Sequence, residues 1–348
     1  MPCNLFVYGG TKSFFPLLHV IKDSMMEKIR ILIFADPICT WCWGSVPVVR
    51  ALKYRYGSQV DVRYVMGGMI EDITTFSNRR LSIGGDIALS NRNMHLHWLE
   101  ASAVHGMPVS EKQPILFSKE RRSSVPLNKA YIAAKVYACG NECTRNDLAE
   151  RYLRLLQELT AVENLHTNNE ENLVAISAVL GFDQEKFGRI LSGEEVERLY
   201  AEDKSLAGRY EVHAFPTYML EYRGEEMMLR GFTTFGTLCH RIGHLTFENI
   251  RPIDDGREIF TADNVRKFVA QHGTAYPVEI ATAFSLPRTE GHTALNVESY
   301  SGLADVLEEL VKAGELSIVP KGNGFMCYTP GSSAVYSREL EHEPTVAV

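Results

Sequence analysis

At 348 residues, with 45% hydrophobic and 23% charged positions, the chain has an ordinary globular composition and room for about two domains. Its 36 basic against 43 acidic residues leave a formal charge of −7, which disfavours nonspecific nucleic-acid binding; no run approaches the ~18 unbroken apolar residues of a membrane-spanning helix. Seven cysteines are odd in number and too sparse for a secreted disulfide scaffold, so a reducing, cytoplasmic setting is expected.

Residues 1–25 have no basic residue before Lys12, and Gly9-Gly10, Lys12 and Pro16 interrupt their apolar stretches. They read as an N-terminal extension rather than a signal peptide. The first strong pattern is Ile29–Phe34, a β-branched apolar run ended by Ala35-Asp36-Pro37, which predicts a buried strand. Ile38–Gly44 follows, then apolar residues at helical spacing from Val46 to Tyr56, then a second strand over Val60–Met66 ended by Gly67-Gly68. Strand, helix, strand in this span is a βαβ unit with two cysteines at its first join.

From about 85 to 208 the spacing is helical, with segments at Met94–His105, Asn128–Cys139, Thr144–Thr160, Asn168–Leu180 and Asp183–Leu191. β character returns at Pro216–Tyr222, turns at Arg223-Gly224, and continues through Met227–Arg230 before a short helix at Phe235–His244. Residues 26–246 therefore read as one α/β domain with an all-helical insertion. Residues 247–259 are polar and aperiodic and read as a linker, so a cut near Arg251 is expected to leave a folded domain. Residues 260–348 hold a small module and tail. Helices at Thr261–His272, Pro277–Phe284 and Ser299–Ala313, capped by Ser299 or Ser301, precede a hairpin around Lys321-Gly322-Asn323-Gly324. Three helices and a hairpin resemble a winged helix. Over residues 260–330, however, five basic residues stand against eight acidic ones, the wrong footprint for DNA. Protein docking or dimerisation is the expected role.

Cys39-Thr40-Trp41-Cys42 is the sharpest chemical feature. On the first turn of a helix this spacing lets the two sulfurs pair. The first sits where free N–H groups converge, an environment that favours a thiolate. A zinc site would need two more ligands, and Cys139 with Cys143 does not meet the usual spacing. Two inert buried cysteines remain the bland alternative. Pro216, 174 residues after Cys42, opens an apolar strand, where its missing N–H is tolerated. His95, His97 and His105 lack i, i+4 metal spacing and read as a solvated helix face. His105 before Gly106 suits a helix C-terminus that favours a cation. Gly67-Gly68 and Gly84-Gly85 read as turns, not phosphate cradles.

Together, Asp36–Gly44, Pro47, Phe215-Pro216-Thr217 and the long helical stretch between them resemble the DsbA family of dithiol oxidoreductases, over about residues 28–245. The resemblance implies a thioredoxin-like sheet with a helical insertion. It also implies Cys39 as attacking thiolate, Cys42 as resolving thiol, and a cis-proline loop at Pro216 beside them. Phe215, Pro216 and Thr217 would shape the substrate groove, with the Phe215 backbone pairing with peptide. Trp41 and Trp43 would add apolar contact, although ordinary packing explains Trp43 equally well. Asp36 would shape the strand-end turn. The Thr40-Trp41 dipeptide lacks the histidine of strongly oxidising members, and Ile33 stands where thioredoxins bury an acid. The proton acceptor for Cys42 is thus unassigned.

The function expected is thiol–disulfide oxidoreductase or isomerase chemistry on protein or small-molecule disulfides, with no cofactor, metal, nucleic acid or membrane. A non-enzymatic adaptor that delivers a regulator to a protease is a second reading. A glutathione-dependent transferase or isomerase is a third. Relatives of that third kind carry serine in place of Cys39 and need no Cys42.

Overall fold

The computed structural model describes residues 28–139, 146–289 and 291–331. The proposed N-terminal extension, Cys3, Cys143 and Thr144 lie outside the described residues.

Strand β1 (Ile29–Ala35) is the centre of the first sheet, pairing in parallel with β2 (Val60–Met66) and antiparallel with β3 (Thr217–Tyr222). β4 (Glu225–Arg230) completes the order β2-β1-β3-β4. The apolar run of β1, interrupted by the exposed Arg30, has a direct cause: from Ile31 onward both of its faces are covered. Ile29, Ile31 and Ile33 enter the main core, while Leu32 and Phe34 meet Val65, Leu206, Ala207 and Met219 on the other side.

After β1 the chain forms α1 (Thr40–Trp43) and then α2 (Val46–Tyr56). Pro47 lacks the N–H that would extend one helix across Gly44-Ser45, so the two remain separate. Ser45 Oγ instead donates to Trp41 O at 2.7 Å across the break. Among the described residues, six helices then fill the insertion: α3 (Ile87–His105), α4 (Val125–Cys139), α5 (Asn146–Ala161), α6 (Glu170–Val179), α7 (Gln184–Leu191) and α8 (Glu194–Arg209). α3 starts seven residues before the expected Met94, because Asp86 caps it by accepting from Leu89 N–H. α8 is absent from the named sequence segments although it lies in the helical stretch. α9 (Phe235–Thr246) covers the β3–β4 hairpin.

The C-terminal module has winged-helix order: α10 (Ala262–His272), β5 (Thr274–Ala275), α11 (Pro277–Ala283), α12 (Leu303–Lys312), β6 (Ser317–Lys321) and β7 (Gly324–Tyr328). Its sheet runs β5-β7-β6. Thr261 caps α10 as its spacing predicts, accepting from Asn264 N–H. α12 corrects the expected start at Ser299. It opens at Leu303 behind Gly302, whose φ of 74° suits glycine, and Ser299 Oγ donates to Asn296 O instead of capping.

The module is packed on the rest of the chain. α11 lies against α2, and Phe268, Tyr276 and Phe284 share one core with Tyr54 and Trp43. Residues 253–254 are engaged as well: Ile253 N–H donates to Arg55 O at 2.7 Å, and buried Arg55 pairs with Asp254. A cut near Arg251 would therefore open a packed surface, contrary to the expectation drawn from local polarity.

Candidate active site

Cys39 is the N-cap of α1 in extended geometry, and its thiol donates to Phe215 O at 3.4 Å. Cys42, one turn on, lies against the core, and both carry free thiols. Burial pushes the Cys42 thiol well above the ordinary range, and its contact with Cys39 adds to that. Both sulfurs are buried, yet the pair is asymmetric: Cys39 lines a cleft, while Cys42 does not reach it and stays protonated.

The Phe215–Pro216 peptide is cis. Gly67 allows the Phe215 ring to lie against the end of β2, since a Cβ there would come 2.1 Å from it. Thr217 is fully buried and its Oγ1 donates to Ala214 O at 2.8 Å, so its side chain secures the loop and does not face substrate. Pro216 is likewise buried.

Asp36 closes the strand end. Fully buried, it accepts from Ile38 N–H (3.0 Å), Met69 N–H (2.7 Å), Ser124 Oγ (2.9 Å) and Asn128 Nδ2 (2.8 Å). Burial raises its pKa, and these four donors oppose the rise. They occupy the lone-pair sites of a carboxylate, so Asp36 ties β1, the Gly67–Ile70 segment and α4 together.

A cleft of about 1250 Å³ runs from Cys39 between α1, the Phe215 loop and α3. Trp41, Ile70, Phe76, Leu81, Met94, Trp98 and Phe232 supply its apolar wall, and Arg80, His97, Glu100 and Lys204 supply polar groups. Of the six expected site residues, Cys39, Trp41 and Phe215 line the cleft, and Cys42, Pro216 and Thr217 stand behind it. Trp43 turns the opposite way. It is 1% exposed, donates from Nε1 to Pro108 O at 2.8 Å, and lies beneath the Arg154 guanidinium, 4.4 Å from its ring.

The histidines depart from expectation. His95 and His105 are buried, and His97 is half-buried in the cleft wall. Trp41 Nε1–H donates to His97 Nε2 at 3.2 Å, and Thr40 Oγ1 lies 3.3 Å from His105 Nε2. Burial, with a smaller contribution from His97, pushes the His105 pKa down to about 3, so it is neutral and not the helix-end cation expected. Among the described residues, no group of three or more His, Cys, Asp or Glu is arranged to hold a metal ion. No helix there is long and apolar enough to cross a membrane.

A family model described as thioredoxin matches residues 32–235. The protein named ClpXP adapter protein SpxH in Bacillus subtilis is 24% identical over 194 residues, 55% of this chain and 58% of that protein. The chain thus spans little more than half the length of that relative. The protein of the same name in Halalkalibacterium halodurans is 20% identical over 303 residues, 87% of this chain and 89% of its own. Among solved structures, a putative protein disulfide isomerase from Nitrosomonas europaea aligns with a TM-score of 0.52 at 15% identity, covering 64% of this chain and 99% of that one. Sheet order, the CxxC at the first strand–helix join and the family match agree: the chain belongs to the thioredoxin family, with a helical insertion between β2 and β3.

Proposed function

We propose that the protein is a cytoplasmic thiol–disulfide oxidoreductase in which Cys39 attacks and Cys42 resolves. The observation that carries this reading is that Cys39 lines the cleft with Phe215 O 3.4 Å from its sulfur, while Cys42, one turn on, does not line it. The Cys39 thiolate attacks one sulfur of a substrate disulfide, forming a mixed disulfide and releasing the other sulfur as a thiolate. Cys42 gives up its proton to solvent or the leaving thiolate and attacks Cys39 sulfur. The second substrate thiolate leaves and the Cys39–Cys42 disulfide remains. Substrate gains two electrons and the dithiol loses two; an external thiol such as glutathione restores the dithiol. Trp41, Phe215 and Pro216 shape the site, and protein or small-molecule disulfides fit it. No metal or bound cofactor enters the step. Residues 26–246 carry the chemistry, residues 247–259 connect, and the module at 260–348 docks protein.

Cys39→Ser should abolish disulfide reduction, whereas Cys42→Ser should accumulate mixed disulfides in glutathione buffer, read by intact mass. Normal turnover by Cys39→Ser would sink the dithiol mechanism. A second reading, a protease adaptor, is favoured by the names of the Bacillus subtilis and Halalkalibacterium halodurans relatives. It expects partner binding to survive loss of both thiols.

A further inference from the structure

The four-residue helix α1 is too short to hold itself, because a single turn fixes many dihedrals for few hydrogen bonds. Cys39 at its start makes no side-chain cap. The two side chains between the cysteines are held from α3 instead, Trp41 by His97 and Thr40 by His105.

The backbone decides the direction of the Thr40 contact. Met107 N–H can only donate, and it points at His105 Nδ1 at 3.1 Å. Nδ1 must then carry a lone pair, which puts the ring proton on Nε2, so Nε2–H donates to Thr40 Oγ1. The ring has little room to move. It lies against Gly44, where a Cβ would come 2.4 Å from His105 Cγ. The chain on either side of His105 is fastened by the C-terminal module: Ala294 N–H donates to Ala103 O at 3.0 Å, and Asn323 N–H donates to Val109 O at 2.9 Å. Asn323 Oδ1 also accepts from Val109 N–H at 2.9 Å.

We propose that His105 is a positioning residue for the dithiol: its neutral imidazole, donating from Nε2 to Thr40, fixes the turn between Cys39 and Cys42 and thereby the reactivity of Cys39. The inference rests on the reading of Cys39 as the attacking thiol. His105 acts through Thr40, as a fixed N–H dipole rather than a charge. A histidine placed 65 residues away in sequence thus reaches the motif that carries none of its own.

The test is the pH profile of Cys39 alkylation by iodoacetamide, followed by peptide mass spectrometry in the full chain. The variants are His105→Leu, His105→Gln, Thr40→Val and the Thr40→Val/His105→Leu double. His105→Leu and Thr40→Val should each shift the Cys39 rate by at least about threefold in the same direction, with the double no further than the larger single, as coupled neighbours behave. His105→Gln keeps an N–H donor and should restore the wild-type profile. If His105→Leu does not fold, Thr40→Val decides, since it exchanges one hydroxyl for a methyl. Wild-type rates in Thr40→Val, or single effects that multiply in the double, would overturn the proposal. Equilibration of the wild type with glutathione runs in parallel. Failure to form the Cys39–Cys42 disulfide would defeat the oxidoreductase reading, while the alkylation series would still report whether His105 and Thr40 are coupled.

Discussion

His105 is 3% exposed and neutral, with its pKa pushed down to about 3 from an ordinary 6.5 by burial. His272, beside the Arg50–Glu279 pair, is likewise pushed down to about 3, again chiefly by burial. Between those limits the unfolded chain binds a proton at each position and the folded chain does not. Stability is then fully present above about 6.5 and is lost as pH falls toward 3, by at most about 1.4 kcal/mol per pH unit for each histidine. Denaturant melts at pH 7, 5.5 and 4 should show this decline, with a shallower slope in His105→Gln. An equal slope in that variant would mean that His105 takes no part in the acid response. In sequence, His105 stands before a glycine at a helix end, which argues for a cation. Only the crossing of α3 beneath Gly44 reverses that, by burying the ring. Cys39, Cys42 and Pro216 were legible because their signals are local: a short motif at a strand end and a proline opening a strand. The grip of His97 and His105 on the motif depends on contacts 56 and 65 residues apart and leaves no local pattern.

At the scale of elements, the strands of the first sheet and helices α10 and α11 are where their patterns put them, while α3 and α12 start elsewhere. β1, β2 and the β3–β4 hairpin are bounded by Pro, Gly and turn residues, and β1 and β3 use residues that suit a buried sheet, whereas β4 is an edge strand with no buried residue. α3 buries Ser90, Asn91, Met94 and His95 together, so polar and apolar residues share its inner face and its first two turns show no clean stripe. Its start is marked by the cap alone. Asp86 accepts from Leu89 N–H at 2.7 Å, and Ser90 Oγ both donates to Asp86 O and accepts from Gly84 N–H. Asp86→Ala should cost about 1 kcal/mol of stability through loss of the cap. Because α3 supplies a long wall of the cleft, hydrogen exchange should quicken first over residues 87–93. A variant with unchanged melting and exchange would show that packing alone sets the start of α3. Likewise, Ser299 and Ser301 suit a cap by residue type, but Ser299 ends a 3-10 turn over Val297–Ser299, Tyr300 is extended against Arg288, and α12 begins only after Gly302.

At the scale of the whole molecule, the C-terminal module and the dithiol domain meet through a buried charge cluster. Glu279 of α11 is fully buried and pairs with Arg50 of α2 at 2.9 Å and Arg154 of α5 at 3.2 Å. Burial alone would raise its pKa, but Arg154, Arg50 and the Tyr276 N–H together hold it below the ordinary carboxylate range. Arg154 also reaches Glu158 at 3.0 Å and covers the rings of Trp43 and Tyr276. One carboxylate of the module therefore fastens the helix that follows the CxxC and the arginine that covers Trp43, the residue after Cys42. The wing tip makes the second attachment: Asn323 sits on Val109, and Lys321 pairs with Glu163. This wing is occupied by its own chain, which fits the acidic balance of the module. A polar stretch such as residues 247–259 marks a domain boundary in sequence only when few contacts cross it, and here the shared core crosses it. Glu279→Gln keeps the shape and removes the charge, leaving Arg50 and Arg154 without their shared carboxylate. Breaking a buried pair in this way costs about 3–5 kcal/mol. The expected result is a large drop in melting temperature, with a change in tryptophan emission as Arg154 shifts over Trp43. A chain ending at residue 251 should fare worse, since it also exposes the faces of Tyr54 and Trp43 that Phe268, Phe284 and Tyr276 cover. Wild-type melting in Glu279→Gln would show that apolar packing alone holds the module. A stable, reactive chain ending at residue 251 would restore the boundary that the polar stretch predicts.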